Sequence, residues 1–470
     1  MKENKHLKFD DGSFRDPIGR IFHFDGRIFR ECASKFEKIF LRLEDKGIIT
    51  ESISKGFLVP TWKLKDHDLL RKFNNHKLIL EHKKIPFISY PYEWCFDQLK
   101  CAALFHLEFQ IYLLKKNVVL RDSSAYNIQF IGSNPIFIDI SSLTLYEEGS
   151  FWLGYKQFCE QFLYPLVLQT KLKIPSNFFL RNNLEGIDSI TTNQFLPFYK
   201  KMNLNSILHI QMQAMYSKKN TKNNKKYISK IKDNNNLSKS KYFALLSSLH
   251  SWIKKLNVPI NKNSAWINYS NDNSYSDNEL LLKDNLVKDF IKRVKPNSLL
   301  DLGCNTGKFI KTAIKLKTEV IIGIDFDETV VRKLFLESKN YDYKILTLVM
   351  DLSNPSPSQG WLELERMSFK NRFKTDSLIA LALIHHLAIT KNIPINQILS
   401  WIVDFAPTGL VEFIPSSDQM VRQMTYFRES LHEEYSLNYF ENCLSKIANI
   451  TKKTEVSNSG RTVYEYLRKQ

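Results

Sequence analysis

Ser298–Asp325 reads SLLDLGCNTGKFIKTAIKLKTEVIIGID, and this stretch decides the fold of the C-terminal half. Ser298 to Leu302 has the length and flanks of a buried parallel strand, and Lys308 to Lys315 has helical spacing with Phe309, Ile310, Ala313 and Ile314 on one face. Between them, Gly303 and Gly307 let the backbone turn sharply and approach a ligand with no side chain in the way. Asp301, at the carboxyl end of the strand, can accept hydrogen bonds from a ligand amine or hydroxyl. A second strand, Glu319 to Ile324, runs into Asp325, 24 residues beyond Asp301, about where an open α/β sheet places an acid on a ribose diol.

The pattern continues outward. An apolar run from Lys344 to Met350 is followed by Asp351, and another from Ser377 to Ile384 by His385 and His386. A fifth strand is expected to end at Glu412, within LVEFIP. Polar residues thus recur at the carboxyl edge of an expected parallel, doubly wound sheet, where such sheets bind their ligands. Thr451 to Leu467 holds two β-rich runs parted by SNSG, the signature of an antiparallel hairpin closing the sheet. The fold class expected is α/β.

The turn is G-x-x-x-G, whereas the dinucleotide fingerprint is G-x-G-x-x-G. Acid, glycine, three residues, glycine and a later acid closing strand two resembles motif I and the acidic motif of class I S-adenosylmethionine-dependent methyltransferases, over roughly residues 271–470. The resemblance implies a Rossmann-like domain that uses S-adenosylmethionine; no metal site is expected. Asp301, Gly303, Asn305 and Gly307 would hold the methionine portion, with Asn305 standing where many members have another glycine. Asp325 would take the ribose hydroxyls, Phe326 would line the cofactor beside it, and Asp351 with Leu352 would border the adenine.

For the methyl acceptor, His385, His386 and Glu412 are the candidate catalytic residues, because a histidine near neutral pKa can remove a proton from a hydroxyl or amine. The alternative is that one histidine packs under the helix starting near Ile395 while the other hydrogen-bonds backbone, and that Glu412 is an ordinary strand-end carboxylate. Gln419 to Tyr435, with Arg422, Tyr426, Arg428, Glu433 and Glu434, reads either as a lid or as an exposed helix. Trp266, Tyr269 and Tyr275 could cover the cofactor with aromatic surface.

The chain has 470 residues, a net charge of +18, 43% hydrophobic residues and 25% charged residues, which suits two or three packed domains. Much of the positive excess lies in Ser217 to Lys241, SKKNTKNNKKYISKIKDNNNLSKSK. This run has almost nothing apolar to bury and reads as a solvated linker or as a polyanion-binding patch. Three segments are expected: 1–204, a basic helical or linker segment 205–270, and 271–470. MKENKHLKFDDGSFRD lacks the apolar core of a signal peptide, and no stretch reaches the roughly 18 apolar residues of a membrane span. The cytoplasm is therefore the expected compartment. Six cysteines without a C-x-x-C pair are expected to be reduced.

In the N-terminal part, SFRDPIGRIFHFDGRIFR (13–30) reads as a hairpin about Asp25-Gly26. A helix is expected from Glu93 to Leu114, followed by VVLRDSSAYNIQFIGSNPIFIDISS. Arg121-Asp122, Asn127 and Asp139 in that segment resemble the catalytic and metal-binding loops of the protein-kinase-like and aminoglycoside-phosphotransferase-like fold, which is α+β. By that resemblance Asp122 would orient an accepting hydroxyl, and Asn127 and Asp139 would hold magnesium under nucleotide phosphates. Leu120 stands in place of the histidine of H-R-D, and Asp-Ile-Ser in place of Asp-Phe-Gly. A binding or scaffolding role is therefore expected rather than catalysis.

The tandem arrangement resembles bacterial proteins related to nodulation host-specificity methyltransferases. The function expected is methyl transfer to a small-molecule or glycan-like acceptor. The alternatives are an RNA-modifying or RNA-binding protein that uses the basic middle, and an ATP-dependent phosphotransferase.

Overall fold

The computed structural model of the chain describes residues 8–73, 77–220, 237–260, 276–339, 344–426 and 435–469. Residues 221–236 of the lysine run lie outside these, as do Trp266, Tyr269, Tyr275, Arg428, Glu433 and Glu434. The chain divides into two compact units, the first comprising Met1–Phe130, Asn134–Pro259 and Gln359–Arg366, the second Ile131–Ser133, Ile260–Ser358 and Met367–Gln470.

The first unit is α+β. Strands β1 (Lys8–Phe9), β2 (Gly19–Phe24), β3 (Arg27–Cys32), β4 (Thr61–Lys63) and β5 (Ile79–His82) form an antiparallel sheet in the order β1-β2-β3-β5-β4. Asp25 and Gly26 both have positive φ, 50° and 70°, the two-residue turn whose twist matches its flanking strands. After helix α1 (Ser34–Asp45) the long helix α2 (Phe96–Lys115) buries eleven of its residues. It starts at Phe96 rather than Glu93 because Gln98 reaches back to accept the Cys95 N–H at 3.0 Å, closing a capping box. Strand β6 (Val118–Leu120) pairs with β9 (Leu143–Leu145), and β7 (Ile128–Ile131) with β8 (Asn134–Phe137).

The described residues 205–220 and 237–259 group with this unit. Helix α3 (Lys239–Lys255) buries Tyr242, Leu246, Leu249 and Ile253, packs on α2, and accepts a 2.7 Å hydrogen bond at the Tyr242 hydroxyl from Gln110 Nε2. Its apolar stripe, not the polar run before it, determines where residues 239–255 belong. Gln359–Arg366 is held to the first unit by the Gln359 amide donating to the Arg181 carbonyl at 2.9 Å and by the Arg366 guanidinium over the Tyr126 ring at 4.2 Å. Arg15 pairs with both carboxylate oxygens of Glu365.

The second unit is a seven-stranded sheet. Strands β10 (Ser298–Leu302), β11 (Val320–Asp325), β12 (Ile345–Val349), β13 (Ser377–Ala380), β14 (Thr408–Phe413), β15 (Ala448–Glu455) and β16 (Thr462–Arg468) lie in the order β12-β11-β10-β13-β14-β16-β15. The first five are parallel, and β16 runs antiparallel to both β14 and β15. Helices α4 (Asp277–Val294), α5 (Lys308–Lys315), α6 (Glu328–Lys339), α7 (Ile395–Val403) and α8 (Leu437–Ile447) flank the sheet sequence. The strands read as continuous apolar runs because a parallel sheet is buried on both faces; Leu299, Leu300, Ile322, Ile324 and Leu348 are all inaccessible. Strand β13 stops at Ala380, short of the expected Ile384, because Ala382 turns into the left-handed region at φ 51°.

Candidate functional site

The carboxyl edge of the second unit's sheet is built around the Gly303–Gly307 turn. Gly303 and Gly307 both lie at φ 77° and Asn305 at 48°, so three of five residues occupy the region that side chains other than asparagine and aspartate rarely adopt. This explains why asparagine substitutes for a third glycine. A side chain at Gly307 would place its Cβ 2.6 Å from Leu334 Cδ1, and one at Gly323 would meet Ile310 at 2.5 Å. The Gly303 and Cys304 amides both donate to the Ile324 carbonyl, at 2.8 and 3.0 Å, which locks the turn onto the second strand. Helix α5 begins at Lys308 and presents its amide end to the same turn, a place that favours an anion such as a carboxylate.

Asp301 and Asp325 flank this turn. Asp301 is 2% exposed and its Oδ2 has no hydrogen-bond partner in the protein. Burial, with the Asp325 carboxylate nearby, pushes it up to about 8. Asp325 accepts the Asn305 N–H at Oδ2 (2.9 Å) and the Asp327 N–H at Oδ1 (3.0 Å), and burial pushes it up to about 6 in spite of them. Two buried carboxyls held above their usual range, one with an orphaned oxygen, form a site short of cationic or donor groups. Phe326, next in the chain, is exposed. Asp351 follows β12, caps Ser353 and lies 3.2 Å from Lys391 Nζ, and Leu352 beside it is buried.

The loop after β13 carries the histidines. His385 is 1% exposed with neither ring nitrogen hydrogen-bonded, and its ring centroid lies 4.0 Å from that of His386. Burial, then His386, Arg461 and Lys283, hold His385 well below the usual imidazole value, and burial lowers His386 to about 4. Both rings are neutral at pH 7. Glu412, fully buried, is engaged: its Oε2 accepts from Lys283 Nζ at 2.7 Å and from the Ala382 N–H at 2.6 Å. Beside this pair, Arg461 makes a bidentate contact with Asp418, 2.7 and 2.9 Å, with both side chains buried.

Lys283 was not singled out from the sequence, although a signal exists. It lies in register with Val287, Phe290 and Ile291 on the buried stripe of α4, and a lysine on an apolar stripe implies a buried anion. Of the expected lid, residues 419–425 form a short helix and Tyr426 is 79% exposed.

In the first unit, Asp122, Asn127 and Asp139 lie in the loops around β6 to β9. Asn127 Nδ2 donates to Asp122 Oδ2 at 3.0 Å. Burial, then the charge of Asp139, raises the Asp122 carboxyl. Asp139 is taken up by Arg30 of β3, whose guanidinium lies 3.0 Å from Asp139 Oδ1 and 2.9 Å from Asp16 Oδ2 and donates to Ser141 Oγ at 2.8 Å. No group of three or more metal-ligating side chains occurs among the described residues, and no described helix is long and apolar enough to cross a membrane.

The second unit is a Rossmann-like α/β module with Asp301 and Asp325 at the carboxyl edge of its parallel strands, joined in one chain to an α+β unit. In sequence the chain is similar to nodulation protein NoeA of Rhizobium meliloti (strain 1021), 38% identical over 461 residues that cover 98% of this chain and 96% of that protein. The chain belongs to the NoeA family. No protein-family model matches it. Among solved structures it is similar to the N-methyltransferase NodS from Bradyrhizobium japonicum WM9, at 10% identity and a TM-score of 0.31 over 42% of this chain and 99% of that one. It is also similar to the magnesium protoporphyrin IX methyltransferase (ChlM) from Synechocystis PCC 6803 with bound SAH, at 14% identity and a TM-score of 0.30 over 47% of this chain and 95% of that one.

Proposed function

We propose that the second unit is an S-adenosylmethionine-dependent methyltransferase acting on a small-molecule or glycan-like acceptor. The observation that carries this reading is the buried Asp301 with its orphaned Oδ2 beside Asp325, at a turn that Gly303, Asn305 and Gly307 make with positive φ. The residues present fit the cofactor: Asp301 offers a carboxylate to its ammonium, Asp325 has lone pairs left for a ribose diol, and the amide end of α5 suits its carboxylate. Gly303, Asn305 and Gly307 would line the methionine portion, with Phe326, Asp351 and Leu352 around the nucleoside. When bound, S-adenosylmethionine would supply a methyl group already activated on a sulfonium.

The chain's own contribution is alignment. Methyl transfer to a positioned nucleophile needs no strong base, and the neutral His385 and His386 can accept a hydrogen bond or a proton from the acceptor at a ring nitrogen. Glu412, committed to Lys283 and Ala382, is assigned to holding the β13 loop rather than to moving a proton. Calorimetric titration with S-adenosylmethionine is expected to show saturable binding that Asp301→Ala and Asp325→Ala each weaken. Absence of binding, or binding unchanged in both variants, would overturn the reading. A product heavier by one methylene after incubation with cell extract would identify the acceptor.

For the first unit we favour a kinase-like scaffold without phosphoryl transfer. Asp122, Asn127 and Asp139 occupy loop positions that such a scaffold would use, but the Arg30 guanidinium already neutralises Asp139, where a magnesium ion would have to bind.

A further inference from the structure

Residues 204–220 of the first unit form one helical run: an opening turn Leu204–Ser206, a π-helical turn Ile207–Gln211, and Met212–Asn220. Its solvent face is apolar. Between 204 and 216 every exposed side chain is apolar: Leu204, Ile207, Leu208, Met212, Met215 and Tyr216, with Leu204 71% and Met215 59% accessible. The buried positions are Ser206, His209, Ile210 and Ala214, and Gln211 is half-buried.

This orientation is fixed by hydrogen bonds. The buried His209 ring meets the Tyr155 hydroxyl at 2.8 Å through Nδ1, and its carbonyl accepts from the Tyr164 hydroxyl at 2.7 Å. The Gln211 amide donates to the Lys201 carbonyl at 2.9 Å. Rolling the apolar stripe inward would break all three bonds. The adjoining turn adds Phe198, Tyr199 and Met202, each 65–73% exposed. A contiguous exposed apolar face of this kind marks a contact site.

We propose that this face docks the protein on an anionic lipid surface. Charge selects that occupant. Lys218 is exposed on the same helix, and the sequence continues through 217–241 with nine lysines against one aspartate. Apolar side chains flanked by lysines bind the headgroup boundary of anionic bilayers, each lysine near the surface adding to the attraction. A second copy of a chain with a net charge of +18 would bring two such lysine runs together. RNA is a poorer fit, because aliphatic and methionine side chains give bases little to stack on.

The test is sedimentation of the full chain with phosphatidylcholine vesicles, with and without phosphatidylglycerol. Binding is expected only with phosphatidylglycerol, decreasing as salt is raised. The combined variant Phe198→Ser, Met202→Ser, Leu204→Ser, Met215→Ser removes side chains that are 59–71% accessible, so its unfolding midpoint should change little. Its partitioning is expected to fall by about tenfold or more. No binding to phosphatidylglycerol vesicles, or equal binding by wild type and variant, overturns the proposal. So does a wild-type dimer in light scattering that the same four substitutions dissolve, which would make the face a self-association surface.

Discussion

Removing the Glu412 carboxylate exposes how the candidate cleft is held in shape. In Glu412→Ala, Lys283 stays buried, with only 5% of its side chain exposed, and loses its 2.7 Å counter-ion. The Ala382 N–H loses its 2.6 Å acceptor. Breaking a buried ion pair by deleting one partner costs about 3–5 kcal/mol, and an orphaned buried donor about 1–3 kcal/mol. Ala382, released from its left-handed φ of 51°, recovers about 1 kcal/mol of strain. The terms share one site and do not add fully, so the expected net loss is about 4 kcal/mol. For a unit of this size that lowers the unfolding midpoint by roughly 10 °C.

The assay is differential scanning calorimetry of the full chain, following the transition that S-adenosylmethionine shifts. Glu412→Gln, which keeps an acceptor for Ala382 but loses the charge, should fall between wild type and Glu412→Ala. The double variant Lys283→Met, Glu412→Gln leaves no uncompensated charge and should recover most of the loss. A midpoint lowered by less than about 3 °C in Glu412→Ala, or a double variant as damaged as the alanine, refutes the argument.

Three further outcomes are expected. Asp301 and Asp325 sit at about 8 and about 6 when folded, against 3.8 for an ordinary aspartate, so these two groups bind more protons in the folded state above pH 3.8, and their contribution to the ligand-free unit's stability falls as pH rises to about 8. His385 and His386, held below 6.5 in the fold, act in the opposite sense up to pH 6.5, so the net fall is expected between about pH 6.5 and 8. A cationic ligand favours the ionised carboxyls, so binding should release protons and tighten between pH 6 and 8; identical calorimetric heats in buffers of different ionisation enthalpy would contradict this. Gly307→Ala combines φ 77° with a 2.6 Å approach to Leu334, whereas Gly303→Ala has the same φ and an ordinary 3.6 Å neighbour, so the first should cost more than the second, which pays only about 1–2 kcal/mol of backbone strain. Equal denaturation midpoints would refute the packing argument. Arg30→Met leaves Asp16 and Asp139 without their shared guanidinium and should destabilise the first unit by about 3 kcal/mol, measured by urea unfolding; an unchanged midpoint would show that the pairing contributes nothing.

The second unit's strands and the glycine turn were legible because parallel strands buried on both faces announce themselves as apolar runs, and positive φ requires glycine or asparagine. Strand β10 and helix α5 have the bounds that the sequence suggests. What the sequence hid depends on contacts between distant segments. Lys283 and Glu412 are 129 residues apart, and nothing local to either says they meet. The early end of β13 rests on an alanine in a conformation that its residue type disfavours, held by that same distant carboxylate. The outward-facing stripe of residues 204–216 has the periodicity of a buried one, and periodicity alone cannot say which side faces water.

These contacts also bear on how the cleft would work. A general base is most effective with a pKa near the working pH, yet burial lowers His386 to about 4 and holds His385 well below the usual imidazole value, and Glu412 is engaged in an ion pair. A cleft without a tuned base suits a reaction whose electrophile arrives activated, because the remaining requirement is geometric. In the proposed function, Ala382, clamped through Glu412 and Lys283 immediately before the histidines, would supply that geometry. Rate should therefore depend more on this clamp than on the titration of either imidazole.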